Sequence, residues 1–199
     1  DGVYLKICNS LKRIHHKYKM KNTTGYSLNA LVDYTNPIDV ITHLMIGSEG
    51  TLGMIAEITY NTVKDHPFKA SALMIFENIE MACNVVSILK SAPVAAVELM
   101  DRASLKSVEN MEGVPNYLPT LSAGASAVLV ETVAPNKDQL LAQIIEIEKA
   151  IHHIEPELPF KFTDDSSLYN QYWKIRKGLF PTVGAIRKIG TTVIIEDIA

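Results

Sequence analysis

Apolar positions follow two rhythms along this chain. Residues 3–18 place Val3, Ile7, Leu11, Ile14 and Tyr18 at helical spacing, with Lys6, Lys12, Arg13, Lys17 and Lys19 on the other faces, which predicts an amphipathic helix with a basic exterior. After residue 65, strand-like and helix-like stretches alternate. Residues 70–77 read as a strand, Asn78 as the cap of a helix turning Ala82, Val85, Val86 and Leu89 inward, and residues 94–100 as a second strand. A short helix is expected within residues 101–111. A loop follows over 112–120, where Gly113, Pro115 and Pro119 interrupt any period. The unit then recurs in outline. Residues 125–132 read as a strand, Pro135 takes a first helical position, and Leu140, Ile144, Ile147, Ile151 and Ile154 form one apolar stripe. Residues 160–162 read as a short strand, Asp164 or Asp165 as the cap of a helix reaching Lys177, and residues 191–198 as a last strand. Two β-α-β units of this size predict an α+β fold, a ferredoxin-like layer with helices on one face of an antiparallel sheet.

The stretch before residue 65 is organised differently. Asn22, Thr23, Thr24 and Gly25 are loop formers, Asn36-Pro37 breaks the chain, and residues 38–46 lead into GSEGTLG, Gly47 to Gly53. Ile55, Glu57, Ile58 and Tyr60 then suggest a short β-like segment. Three glycines in seven residues, beside Ser48 and Thr51, describe a backbone that turns tightly and comes close to something without side chains intervening. Apolar, β-prone flanks would hold this loop between buried segments. Backbone N–H groups presented there suit a phosphate or an electron-rich ring edge; a plain glycine-rich hairpin would use the same residues. Asp65-His66-Pro67 is the candidate domain boundary, giving parts 1–65 and 66–199.

Charge and composition narrow the classes. The 199 residues are 47% hydrophobic and 21% charged, an ordinary globular balance. With 19 basic and 22 acidic residues the net charge is −3, which argues against nucleic acid as a partner. The basic helix lacks interleaved aromatics and reads as a solvated face. His15-His16 and His152-His153 are adjacent pairs, about 100° apart on a helix, and cannot readily chelate one metal; no metal site is expected. Cys8 and Cys83 lie far apart in helix-like patterns and read as two buried thiols of a reducing compartment. No run reaches membrane-span length and no signal peptide is visible. A chain that opens at Asp1 reads as a piece of something longer.

GSEGTLGMIAEIT and KNTTGYSLNAL (Lys21 to Leu31) together resemble the FAD-binding domain of the vanillyl-alcohol oxidase (PCMH) superfamily, in the branch of D-lactate, glycolate and D-2-hydroxyglutarate dehydrogenases. WKIRKGLFPTVGAIRKIGTTVIIEDIA, Trp173 to Ala199, is similar to that branch's substrate-side cap. The wording is nearest to the large bacterial proteins that fuse this flavin unit to an iron-sulfur portion. The resemblance implies the C-terminal portion of a PCMH-type FAD-binding domain over 1–65 and an incomplete ferredoxin-like cap over 66–199. It implies FAD as cofactor, with contacts from Thr23, Thr24, Gly25, Tyr26, Gly47, Ser48, Glu49, Gly50, Thr51, Leu52, Gly53 and Ile55. It also implies that an iron-sulfur cluster and a divalent metal, where the parent has them, bind outside this stretch. The catalytic base would lie outside it too, and the 199 residues alone are expected to be inactive. Localisation would be cytoplasmic, or peripheral to the inner membrane through an electron-transfer partner.

Residues 168–180 carry two stripes. Leu168, Tyr172, Ile175 and Leu179 share one helical face, and Tyr169, Trp173, Arg176 and Phe180 the adjoining one. Arg176 can stack on Trp173 and snorkel to water, or its fork can grip a carboxylate with two parallel hydrogen bonds. Relatives with the Trp-x-x-Arg wording use this Arg on the substrate carboxylate. Some also carry a lysine on the strand matching residues 191–197, which TTVIIED lacks, so acid specificity does not simply transfer. The expected activity is oxidation of a D-2-hydroxy acid to the 2-oxo acid by hydride transfer to FAD. The alternatives are a flavin oxidase acting on another alcohol or an ether-lipid precursor, and a non-enzymatic ferredoxin-like module for ligand sensing or assembly.

Overall fold

The computed structural model describes residues 2–20, 25–186 and 188–191, and they divide into two compact units, one within Asp1–Thr62 and one within Val63–Val193. The first unit is helical. It contains α1 (Gly2–Lys17), the single turn α2 (Ala30–Asp33) and α3 (Pro37–Leu44), with α2 packed against both neighbours. Asn36-Pro37 starts a helix and does not break the chain: Asn36 Oδ1 accepts the Ile38 N–H at 3.0 Å, and Pro37 opens the first turn, where no N–H is needed. The glycine loop is therefore entered from a helix. Residues 53–66 have no regular structure, which corrects the β-like reading of Ile55 to Tyr60. Ile55, Ile58 and Tyr60 are exposed, and among the described residues no strand lies alongside to take their hydrogen bonds. Ile46 and Met54 are exposed as well, so the loop is not held between buried segments.

The second unit is α+β. In order it contains β1 (Phe68–Phe76), α4 (Ile79–Leu89), β2 (Ala96–Met100), α5 (Arg102–Val108), a 3-10 turn (Leu118–Thr120), β3 (Ser126–Ala134), α6 (Lys137–Ile151) and α7 (Ser166–Ile186). The strands lie in the order β1-β3-β2, both pairs antiparallel, with Ala72 opposite Val130 and Leu99 opposite Val128. On the free edge of β1, antiparallel bridges join Ser71 to Thr163 and Ile75 to Leu158, around the place where a short strand was expected. The expected last strand falls beyond Thr191, outside the described residues.

Both sheet faces are covered, which corrects the expectation of helices on one face. Ala70, Ala72, Met74 and Phe76 pack into one core with Val85 and Leu89 of α4 and Leu140, Ile147 and Ile151 of α6. Leu73, Ile75, Leu129 and Met100 pack into a second with Leu105 and Val108 of α5 and Ile175 of α7. A strand buried on both sides cannot alternate apolar with polar, and residues 72–76 accordingly read as one apolar run. The helices begin at designed positions. Asn78 Oδ1 accepts from the Met81 N–H at 2.9 Å and Asn136 Oδ1 from the Gln139 N–H at 2.9 Å, each cap contributing roughly 1 kcal/mol. Because Asn136 is the cap, Pro135 stands outside α6, one residue before its cap. Asp165 caps α7 by accepting from the Ser167 N–H and hydroxyl, both at 2.8 Å. The helix does not stop at Lys177 but continues through Pro181 to Ile186. Beside that proline Thr182 donates to the Gly178 carbonyl at 2.7 Å and lies 3.1 Å from the Ser107 hydroxyl of α5, so a neighbouring helix supports the turn. Cys83 is exposed, not buried, since α4 turns Ala82, Val85 and Leu89 inward and residue 83 faces away.

Two expected results follow from this packing. A Cβ added at Gly124 would stand 2.9 Å from the Glu77 carbonyl, whereas one added at Gly178 would meet the Met111 thioether at 2.8 Å. Backbone cannot step aside and a Met side chain can. Gly124→Ala is therefore expected to lower the melting temperature more than Gly178→Ala; the reverse order would contradict the packing. Tyr117 lies against the second core, and burial, with Tyr172 adding to it, pushes its phenol up to about 12 from 10.0. The folded state thus keeps a proton that the unfolded chain releases. The stability this confers is complete below pH 10.0 and is lost as pH climbs toward about 12. Denaturant midpoints across that window should fall less steeply in Tyr117→Phe than in the parent.

Candidate functional site

In the helical unit the two sequence motifs come together. The 25–28 turn lies against the Gly47–Gly53 loop: a Cβ on Gly47 would stand 3.1 Å from the Gly25 carbonyl, and the Ser27 hydroxyl donates to the Ile46 carbonyl at 2.8 Å. The Tyr26 hydroxyl and Thr51 Oγ1 are 2.9 Å apart. Thr51 Oγ1 gives its own proton to the Ser48 carbonyl at 2.6 Å, so Tyr26 is the donor in that pair. At the end of α1, Tyr18 Oη donates to the Tyr26 carbonyl at 2.7 Å and accepts the Leu28 N–H at 3.1 Å, buckling the turn to the helix. Tyr18 was not singled out from the sequence, where it is simply the last member of an apolar stripe.

The loop backbone is wound left-handed at Gly47 (φ 77°), Glu49 (φ 52°) and Gly50 (φ 77°), and the turn is likewise at Gly25 (φ 73°). For Glu49 this costs roughly 1–2 kcal/mol. The loop's internal hydrogen bonds use the N–H groups of Ser48 and Thr51. Among the described residues none uses those of Gly47, Glu49, Gly50, Leu52 or Gly53. Beside Gly25 and Gly50 there is open space where a Cβ would stand, so a planar ligand can approach the main chain directly. Amide donors with no partner among the described residues, and glycine faces open beside them, suit a flavin ring. Ser48 is buried, Leu52 and Ile55 are exposed, and Gly53 packs on Met45. Thr23 and Thr24 lie outside the described residues.

The α+β unit holds a separate polar group. Register places Ser71 opposite Glu131, and Glu98 opposite Leu129, all on the sheet face that α7 covers. Trp173 and Arg176 reach into this group in different directions. The indole N–H donates to Ser71 Oγ at 3.2 Å, and Arg176 Nε donates to Glu98 Oε2 at 2.8 Å. Ser71 in turn is 3.4 Å from Glu131 Oε2. The Arg176 and Glu98 side chains are 35% and 33% exposed, and an ion pair that open adds little to stability. Glu98 was missed in the sequence, although one carboxylate inside the apolar run VAAVELM was a visible signal.

The helical unit thus presents a glycine-lined stretch of main chain, and the α+β unit carries Trp173 and Arg176 of α7 against Ser71 and Glu98 of the sheet. Residues 66–199 match the model of the FAD linked oxidases, C-terminal domain, and the chain belongs to that family, whose cofactor is FAD. It is 29% identical over 139 residues to the mitochondrial D-lactate dehydrogenase [cytochrome] of Arabidopsis thaliana, covering 69% of this chain and 23% of that one. It is 27% identical over 173 residues to the D-lactate dehydrogenase of Anaerostipes hadrus, covering 85% and 35%. Against a probable mitochondrial D-2-hydroxyglutarate dehydrogenase of Oryza sativa subsp. japonica it is 26% identical over 208 residues, 100% of this chain and 33% of that one. The chain thus spans between 23% and 35% of these relatives. No helix among the described residues is long and apolar enough to cross a membrane.

Proposed function

We propose that this chain is part of a flavoprotein that oxidises a D-2-hydroxy acid to the 2-oxo acid, with residues 1–65 forming one wall of the FAD site and residues 66–199 a ferredoxin-like substrate cap. The observation that carries the reading is the tie between the Gly25–Ser27 turn and the Ile46–Thr51 loop, which puts two flavin-type motifs into one backbone surface. The names of the relatives, D-lactate and D-2-hydroxyglutarate dehydrogenases, support the substrate class. The edge bridges at Thr163 and Leu158 support the ferredoxin-like reading, because they extend the antiparallel sheet beyond β1.

When bound, FAD would supply the acceptor for the hydride leaving C2 of the substrate. Thr23 to Tyr26 and Gly47 to Ile55 would hold the cofactor through main-chain contacts, and the Tyr26–Thr51 hydrogen bond would keep the two segments in register. Arg176 would hold the substrate carboxylate, fixing C2 and contributing no base of its own. Reading the sequence that surrounds this chain and mixing the holoenzyme anaerobically with D-lactate, D-2-hydroxyglutarate, glycolate and L-lactate tests the assignment. Bleaching of the flavin band by at least one D-acid or glycolate, and not by L-lactate, is expected. A flavin that ignores all the hydroxy acids, or bleaches with a simple alcohol alone, would overturn it.

A further inference from the structure

Arg176 is engaged on one edge only. Its Nε donates to Glu98 Oε2, and among the described residues neither Nη has a hydrogen-bond partner. A guanidinium can meet a carboxylate through its side edge, which uses Nε, or through its end, which uses the two Nη groups. Glu98 takes the side edge with a single oxygen and leaves the end free. It does so from β2, where it is held in register against the central strand β3, so the acceptor is fixed on a rigid element and not on a loop.

We infer that Glu98 is a positioning residue: it orients Arg176 so that the Nη edge receives the substrate carboxylate. This rests on the reading of Arg176 as the carboxylate ligand. Arg carries a long side chain whose rotamers must be fixed before a two-bond contact forms, and a standing hydrogen bond at Nε removes much of that cost in advance. The charge of Glu98 works in the opposite direction, because a carboxylate beside the site repels an anionic substrate, as does Glu131 two residues along the facing strand from Leu129. Position and charge therefore predict opposite signs. Removing the charge while keeping the acceptor should leave substrate binding intact, and removing or withdrawing the acceptor should weaken it.

The test uses the flavin-loaded holoenzyme and D-lactate or D-2-hydroxyglutarate, whichever bleaches the flavin. Glu98→Ala is expected to raise KM on the order of 10-fold with kcat, flavin content and melting temperature near those of the parent, the size of effect that loss of preorientation produces. Glu98→Gln, whose amide oxygen still accepts the Nε–H, should stay close to the parent KM. Glu98→Asp keeps the charge but withdraws the acceptor by one methylene, and should behave like Ala; the Asp-against-Gln order holds even where the Ala variant does not fold. An unchanged or lowered KM in Ala and Asp, or a higher KM in Gln than in Asp, would overturn the role of Glu98. Arg176→Met separates the two layers. If it too leaves kcat/KM unchanged, the carboxylate reading itself fails; if it cripples the enzyme while the Glu98 variants bind normally, only the positioning role fails.

Discussion

Gly47→Val is expected to strip FAD from the holoenzyme while leaving the sheet unit folded. Two independent costs meet at this position. Its φ of 77° lies in the left-handed region, where a residue with a Cβ loses roughly 1–2 kcal/mol and a β-branched one has no comfortable rotamer. In addition the Cβ would stand 3.1 Å from the Gly25 carbonyl, closer than such contacts normally come. The chain has two ways out. Either residue 47 flips to negative φ and re-aims the Ser48–Gly50 amides, or the 25–28 turn retreats and breaks the Tyr26–Thr51 and Ser27–Ile46 hydrogen bonds. Each destroys the surface that two motifs build together. The second unit has its own source of stability, since β1 to α7 fold around their own two cores. Flavin absorbance per chain after desalting, with hydrogen exchange over residues 68–186, reads both halves. Full flavin content in the variant would remove the loop from the cofactor site. Gly50→Ala makes the useful contrast: it shares the left-handed φ of 77° but not the close contact, since no atom lies within 4 Å of its added Cβ, so FAD retained there would trace the loss in Gly47→Val to the Gly25 carbonyl contact and the branched side chain and not to φ alone.

The α+β unit was largely readable from the order of residues because its helices start at self-declaring caps and its strands are apolar runs of strand length. Asn78 and Asp165 stand at the head of their helical stretches, and each side chain does accept a backbone N–H of the first turn, from Met81 and Ser167. What periodicity could not reveal was the second covered face. Both sides of β1 are apolar, so the run fits burial by one helix layer plus a neighbouring domain as well as burial by two layers. The first unit was less readable for a different reason. Apolar content around the glycine loop suggested β structure, yet Asn36-Pro37 is chemically a helix start, a cap followed by a proline that needs no partner. Pairing of the two loops could not be read either, because the tie between Tyr26 and Thr51 spans 25 positions and leaves no local pattern.

Arg176→Met is expected to separate binding from packing. Met keeps an unbranched apolar stem beside Trp173 and removes the fork. Glu98 then loses its partner, but at 33% exposure it remains solvated, so stability should change by less than about 1 kcal/mol. The substrate carboxylate has no such escape if it is enclosed when hydride moves. Loss of a charged, two-bond partner should remove about 2–4 kcal/mol of transition-state stabilisation, a fall in kcat/KM of roughly 30- to 900-fold. Arg176→Lys should be impaired as well, since one ammonium cannot hold Glu98 and both carboxylate oxygens in the same fixed geometry. A purely structural arginine predicts the opposite profile, a lowered melting temperature with normal kinetics per flavin-loaded molecule. Melting temperature, flavin content and kcat/KM measured on the two variants decide between them. Near-parent kinetics in Arg176→Met would remove Arg176 as the carboxylate ligand, and with TTVIIED carrying no lysine at residues 191–197, another residue would have to hold the acid.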